Sequence, residues 1–238
     1  MSKYVFKRYE LKYILTPEQY NSIIGEIEKY LYVDEYGETT IQSLYYDTDS
    51  FLLIRNSIER PSYKEKIRVR SYGLATPEKM VFLELKKKYN KVVFKRRVQI
   101  KENQVNDFIM NGIVPKDGQI EKEIIYFCNF YKNLKPSMLL LYDRTAYRQD
   151  GTDLRITFDR NVRYRTERLN LCEGLDGTLL LPDGNILMEI KTGIGYPRWL
   201  VDLLNANKIY KQRFSKYGSA YQIELKKQLE KQEEQVYV

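Results

Sequence analysis

The sequence predicts an α+β fold built on an antiparallel sheet. If that sheet closes, it forms a β tunnel or barrel with a cationic lumen, covered by peripheral helices. Three observations predict this. Six runs of β-branched and aromatic residues alternate with period two, helical patterns separate groups of those runs, and the charges of most runs share one parity.

The elements follow in order. Val5 to Ile14 alternates as a strand, and Thr16-Pro17-Glu18-Gln19 then supplies a capping box with Pro at the first helical position. The helix it starts is expected to run to about Leu31, with Ile23, Ile24, Ile27 and Leu31 forming the face that covers a sheet. Ile41 to Asp47 reads as a short strand and Phe51 to Ile58 as a helical turn interrupted before Pro61. The six runs are Tyr63–Tyr72, Met80–Lys88, Lys91–Ile100, Met138–Arg148, Leu154–Arg165 and Ile186–Thr192, and Tyr89-Asn90 makes a tight hairpin. Helical patterns at Glu102–Met110 and Gln119–Lys132 separate the third run from the fourth, and further helices follow Pro197 and Ser215. The chain, residues 1–238, is expected to be a single domain, with 222–238 a charged helical tail.

Composition excludes several classes of function. Forty Lys and Arg against thirty-two Asp and Glu leave a net charge of +8, which favours an anionic partner. There is no histidine, which removes Ser-His-Asp triads, HExxH zinc sites and phosphohistidine intermediates. Cys128 and Cys172 are too few and too far apart for a zinc cluster or a disulfide framework, and they suit a reducing compartment. No apolar run reaches the ~18 to 20 residues of a membrane span, and no signal region opens the chain, so a cytoplasmic location is expected. The 22 tyrosines scatter over helices and strands rather than forming a basic-aromatic stripe, which argues against nucleic acid as the partner. Trp199 sits where a helix begins, and packing explains it better than adenine stacking.

Parity is the most informative feature. Lys64, Lys66, Arg68 and Arg70 share one face of their strand, opposite Ile67 and Val69. Glu84, Lys86 and Lys88 line up opposite Leu83 and Leu85, and Glu10 and Lys12 opposite Leu11 and Tyr13. Tyr142 and Arg144, then Arg155, Thr157 and Asp159, then Glu189 and Lys191 continue the pattern. The solvent face of an ordinary half-buried sheet accounts for the same alternation on parity alone. The alternative is a lumen onto which the charged faces converge. Two like charges ~7 Å apart repel by roughly 2 to 3 kcal/mol at an effective dielectric near 20, so such a lumen needs a polyanion. Arg forks and Lys point charges aimed from several walls match a linear phosphate chain.

The segments carrying these charges resemble a known family. Arg8-Tyr9-Glu10-Leu11-Lys12-Tyr13, Leu44-Tyr45-Tyr46-Asp47, Ile67-Arg68-Val69-Arg70-Ser71-Tyr72-Gly73, Leu83-Glu84-Leu85-Lys86 and Phe94-Lys95-Arg96-Arg97 open the series. Tyr142-Asp143-Arg144-Thr145-Ala146-Tyr147, Leu154-Arg155-Ile156-Thr157-Phe158-Asp159, Met188-Glu189-Ile190-Lys191 and Arg213-Phe214-Ser215-Lys216-Tyr217 complete it. Together they resemble the catalytic domain of the vacuolar transporter chaperone (VTC) polyphosphate polymerases, within the triphosphate tunnel metalloenzyme, or CYTH-like, superfamily. The resemblance is to compact bacterial single-domain members. The phosphate-sensing domain and membrane helices of the eukaryotic subunits have no counterpart in these segments.

The resemblance implies an antiparallel tunnel in which Lys12, Arg68, Arg70, Lys86, Lys95, Tyr142, Arg144, Arg155, Lys191, Arg213, Ser215 and Lys216 bind ATP and polyphosphate. It implies that Arg144, Arg155, Glu189 and Lys86 are catalytic, and that Glu189 holds a divalent metal, Mn2+ or alternatively Mg2+. The family usually has Lys at the position of Arg213. Glu10 and Glu84 read better as salt-bridge partners of the neighbouring lysines than as metal ligands. The activity implied is transfer of the γ-phosphoryl of ATP to the end of a polyphosphate chain. Hydrolysis of tripolyphosphate or nucleoside triphosphate in the same tunnel, and a non-catalytic polyphosphate or nucleotide sensor, stand as alternatives.

Overall fold

The computed structural model describes residues 9–236 apart from 60, 91 and 115. Val5 to Arg8, which begin the first expected strand, and Lys91 lie outside the described residues. The strands are β1 (Tyr9–Leu15), β2 (Tyr32–Asp47), β3 (Tyr63–Tyr72), β4 (Met80–Tyr89), β5 (Val92–Lys101), β6 (Lys135–Arg148), β7 (Arg155–Arg165), β8 (Thr178–Leu179) and β9 (Ile186–Thr192). The helices are α1 (Pro17–Ile27), α2 (Leu52–Glu59), α3 (Val105–Asn111), α4 (Gln119–Tyr131), α5 (Arg198–Ala206) and α6 (Lys216–Val236).

Local chemistry explains the boundaries. Gln19 N–H donates to Thr16 Oγ1 and Thr16 N–H to Gln19 Oε1, so the capping box forms as its residues dictate. α1 stops at Ile27, earlier than the spacing to Leu31 predicts. The next residues turn, and Leu31 still packs into the core. β2 is sixteen residues long and begins well before Ile41, because Gly37 at φ 57° lets the strand pass a position that reads as a break. The pattern at Glu102–Met110 divides into a 3-10 turn at Glu102–Gln104 and α3, and Gly112, left-handed at φ 67°, ends α3. Asn90 at φ 43° makes the β4–β5 hairpin.

The hydrogen-bonded order is β1-β9-β7-β6-β2-β3-β4-β5, with β8 paired to β7, and the sheet is antiparallel. Among the described residues the hydrogen-bonded ladder does not close, since β1 and β5 end it. The outer edge of β1 is occupied by a bridge between Lys12 and Gln212 rather than by another strand.

The chain divides into two compact units. One comprises 1–40, 142–163 and 181–214, and the other 41–141, 164–180 and 215–238. Each has its own core. In the first, Tyr13, Ile156, Phe158, Met188 and Ile190 pack against Ile23, Ile27, Leu200 and Leu204 of α1 and α5. In the second, Ile67, Val69, Leu83, Leu85, Val98 and Ile100 pack against Phe108, Ile124 and Phe127 of α3 and α4. Each fully buried side chain of this size contributes roughly 1.5–3 kcal/mol. The apolar parity of every strand except β8 is thus used by a core, so the charged parity lies on the opposite face of the same strands.

Candidate functional site

In the first unit the strand register assembles a charged cluster. Lys12 of β1, Glu189 of β9 and Thr157 of β7 face one another across three strands, and Glu10, Lys191 and Arg155 form the next row. Glu189 is 6 % exposed, and its carboxylate lies 3.3 Å from Lys12 Nζ, 3.6 Å from Lys191 Nζ and 3.7 Å from Arg144 Nη2. Glu10 is 3.7 Å from both Lys12 and Lys191, so its observed partners are lysines. Arg144 is fixed by a bidentate pair to the fully buried Asp159, Nε at 2.5 Å and Nη2 at 2.7 Å, and its guanidinium lies 5.0 Å from the Tyr142 ring centre. Burial works against that charge, but Asp159 and Tyr142 outweigh it and hold the Arg144 pKa above its ordinary value. Arg155 donates to the buried Asp34 at 2.7 Å, with its own side chain about half exposed.

In the second unit the register builds two further rows. Tyr45, Arg68, Glu84 and Arg97 lie side by side on β2, β3, β4 and β5, and Lys66, Lys86 and Lys95 lie side by side on β3, β4 and β5. Glu84, 2 % exposed, is the hub: Arg68 Nη2 and Lys95 Nζ are each 2.7 Å away, and Arg97 donates to it through Nε at 2.7 Å. Burial opposes ionisation of Glu84, yet Arg68, Arg70 and Lys95 outweigh it and hold its carboxyl well below the usual range. With three cations on it at hydrogen-bond distance, Glu84 is a salt-bridge centre. Arg70 is buried, with Nε 3.4 Å from Ser43 Oγ, and Lys86 is exposed.

The structure brings Lys12, Tyr142, Arg144, Glu189 and Lys191 together, with Arg155 in the adjoining row. It brings Arg68, Lys86 and Lys95 together, with Arg70 one step along the same face of β3. It treats the late segment differently. Arg213 is exposed in the loop before α6, Ser215 Oγ accepts the Gly218 N–H as a helix cap, and Lys216 opens the helix. Trp199 stacks on Tyr30 at 4.2 Å, which fits a packing role.

The residue list drawn from the sequence omitted Tyr45, Arg97, Thr157 and Asp159. Tyr45 is buried, stacks on Tyr217 at 4.4 Å and accepts from Arg68 Nη1 at 3.0 Å. Burial alone would raise its pKa, but Arg68, Lys66 and Arg70 bring it down to about 8. The shared parity of Tyr45 and Ser43 is the available signal, and in the structure they stand opposite Arg68 and Arg70 of β3.

No group of three or more acids, cysteines or histidines gathers as a metal cage among the described residues. Glu189 also has three cations around it, but at 3.3–3.7 Å, longer than the pairs of Glu84, and its carboxylate is the oxygen donor in this cluster suited to a hard divalent cation.

The VTC domain family model matches residues 7–225. A Bacillus halodurans protein described as an adenylate cyclase candidate superposes with a TM-score of 0.55 at 14% identity, over 90% of this chain and 96% of its own. A Hippeastrum protein, described as an adenylyl cyclase candidate with dominant triphosphatase activity, superposes with a TM-score of 0.55 at 14% identity, over 87% and 92%. The fold of this chain is therefore the triphosphate tunnel, or CYTH-like, fold. No helix is long and apolar enough to cross a membrane among the described residues. With the domain model matched along most of its length, the chain belongs to the VTC-domain family.

Proposed function

We propose that this protein is a metal-dependent polyphosphate polymerase that transfers the γ-phosphoryl group of ATP to the end of a polyphosphate chain and releases ADP. The observation that carries the reading is the row Lys66, Lys86 and Lys95, three cations directly opposed on neighbouring strands. Lys95 is paired with Glu84, yet across the two adjoining rows five cations (Lys66, Arg68, Lys86, Lys95 and Arg97) stand against the single carboxylate of Glu84, an excess that supports a function requiring a polyanion over one in which the face is merely solvated. Membership of the VTC-domain family supports phosphate chains as that polyanion.

Lys12, Lys191, Arg144 and Arg155 in one unit, and Arg68, Arg70, Lys86 and Lys95 in the other, bind phosphoryl oxygens. The Arg144 fork, fixed by Asp159, does not need to reorganise as charge develops on the equatorial oxygens. Glu189 would hold the divalent metal, which would supply charge neutralisation to the phosphate chain. A terminal phosphate oxygen of the acceptor chain forms the new bond to the γ-phosphorus, and the bond to the β-phosphate oxygen breaks to release ADP. The acceptor is already anionic near neutral pH, so no histidine base is required.

Incubation of the purified protein with ATP and Mn2+, with and without a short polyphosphate primer, tests this directly. ADP matched by long polyphosphate is the expected result. ADP matched by free phosphate would replace polymerisation with hydrolysis, and binding without turnover would replace catalysis with sensing. Glu189→Gln is expected to retain tripolyphosphate binding and to lose about a hundredfold or more in turnover; wild-type turnover would remove Glu189 from the mechanism.

A further inference from the structure

Thr157 is 1 % exposed, and its Oγ1 is buried with no hydrogen-bond partner among the described residues. Its place is specific. It pairs in register with Glu189 and sits on the same face of β7 as Arg155 and Asp159, the latter gripping Arg144. A hydroxyl is both donor and acceptor, and several neighbouring side chains could have used it. Lys12, Lys191 and Arg144 are instead drawn to Glu189, Arg144 also to Asp159, and Arg155 to Asp34. A buried orphan of this kind destabilises the ligand-free protein and becomes favourable only when something supplies its partner.

We propose that Thr157 is a further ligand-binding residue, whose hydroxyl donates to an oxygen of the phosphate chain held by Lys12, Arg144 and Lys191. The inference rests on the reading of this cluster as a phosphate site. An incoming polyanion competes with Glu189 for the three cations and brings unprotonated oxygens into the row where Thr157 stands. A threonine hydroxyl suits that place because it adds a donor without adding charge to a face already rich in cations.

The two directions in which one substitution acts provide the test. Thr157→Val keeps the branched shape and removes the hydroxyl. Without ligand it should melt no lower than wild type, because an unsatisfied buried group is replaced by an apolar one. Its affinity for tripolyphosphate, measured by calorimetry without metal, should fall about tenfold to a hundredfold, the worth of a hydrogen bond to a charged group. Thr157→Ser should bind within about threefold of wild type, since the hydrogen bond at issue is retained. Thr157→Ala, measured beside them, separates loss of the hydroxyl from loss of shape.

If Thr157→Val binds tripolyphosphate as wild type does, the assignment to Thr157 falls and the phosphate site stands. If Thr157→Val melts lower and Thr157→Ser fails to restore binding, the hydroxyl is structural and the proposal is overturned. If the wild-type protein does not bind tripolyphosphate, the phosphate reading of the cluster fails and Thr157 falls with it.

Discussion

Arg144 and Glu84 are both buried charges in a cationic site, but they differ in what surrounds them. Arg144 has the fully buried Asp159 as its main partner, so Arg144→Ala would strip the bidentate pair from a buried carboxylate. That substitution is expected to cost about 3–5 kcal/mol of stability, so Arg144→Lys is the better probe of turnover. Glu84 has three cationic partners that are between a quarter and a half exposed, and solvent shares their charge. Glu84→Gln should therefore cost less, about 1–3 kcal/mol, and tripolyphosphate should recover part of the lost melting temperature by taking over the neutralisation. The pH dependence of Glu84 follows from its lowered pKa. Its contribution is present above the ordinary glutamate value of 4.5 and is lost as the pH falls below that towards its folded value. Urea melts of wild type and Glu84→Gln should converge under acid and separate near neutrality. Tyr45 is expected to contribute a phenolate transition near pH 8 at 295 nm that is absent in Tyr45→Phe. A titration that begins only near pH 10 would show that Arg68, Lys66 and Arg70 do not act on Tyr45.

At the scale of the element, period two located β3 and β9 to the residue, because Ile67 and Val69 alternate with Arg68 and Arg70, and Met188 and Ile190 with Glu189 and Lys191. It failed on the first half of β2, where polar residues and Gly37 give no core-facing signal, and the strand is there because neighbouring strands pair with it. It overran α1, since Leu31 keeps the apolar spacing after the backbone has turned. Charged faces were legible, but their partners were not. Parity assigns Asp159 to a face, but only the folded chain shows that Arg144 holds it, and Asp34, in the half of β2 that the pattern missed, emerges as the partner of Arg155 only in the structure. Thr157 was visible in the same parity series, and nothing in sequence marks a hydroxyl as lacking a partner. The lysine row gives a prediction that belongs to this scale. Lys86→Gln removes the middle cation of the row, so the protein should bind tripolyphosphate about tenfold more weakly. Binding at wild-type strength would take Lys86 out of the phosphate site.

For the whole molecule, a net charge of +8 describes an average, and how the charge is distributed decides the partner. Both units spend their apolar parity on a core, so the cations that remain on the opposite parity are organised by strand register and not scattered over helices. A duplex presents its phosphates along a surface, whereas a short linear polyphosphate can be surrounded by Arg forks and Lys ammonium groups from neighbouring strands. Tripolyphosphate at about a hundred times its dissociation constant should therefore stabilise the native state by about 2.7 kcal/mol. For a chain of this size that is a rise of about 5–10 °C in melting temperature. Added salt should diminish the shift at fixed ligand concentration, because the same oxygens then compete with chloride for the same cations. Duplex DNA at equal phosphate concentration should produce a much smaller shift. Equal shifts from the two polyanions would show that the charge acts as a general attractor, and that the strand register confers no preference for a phosphate chain.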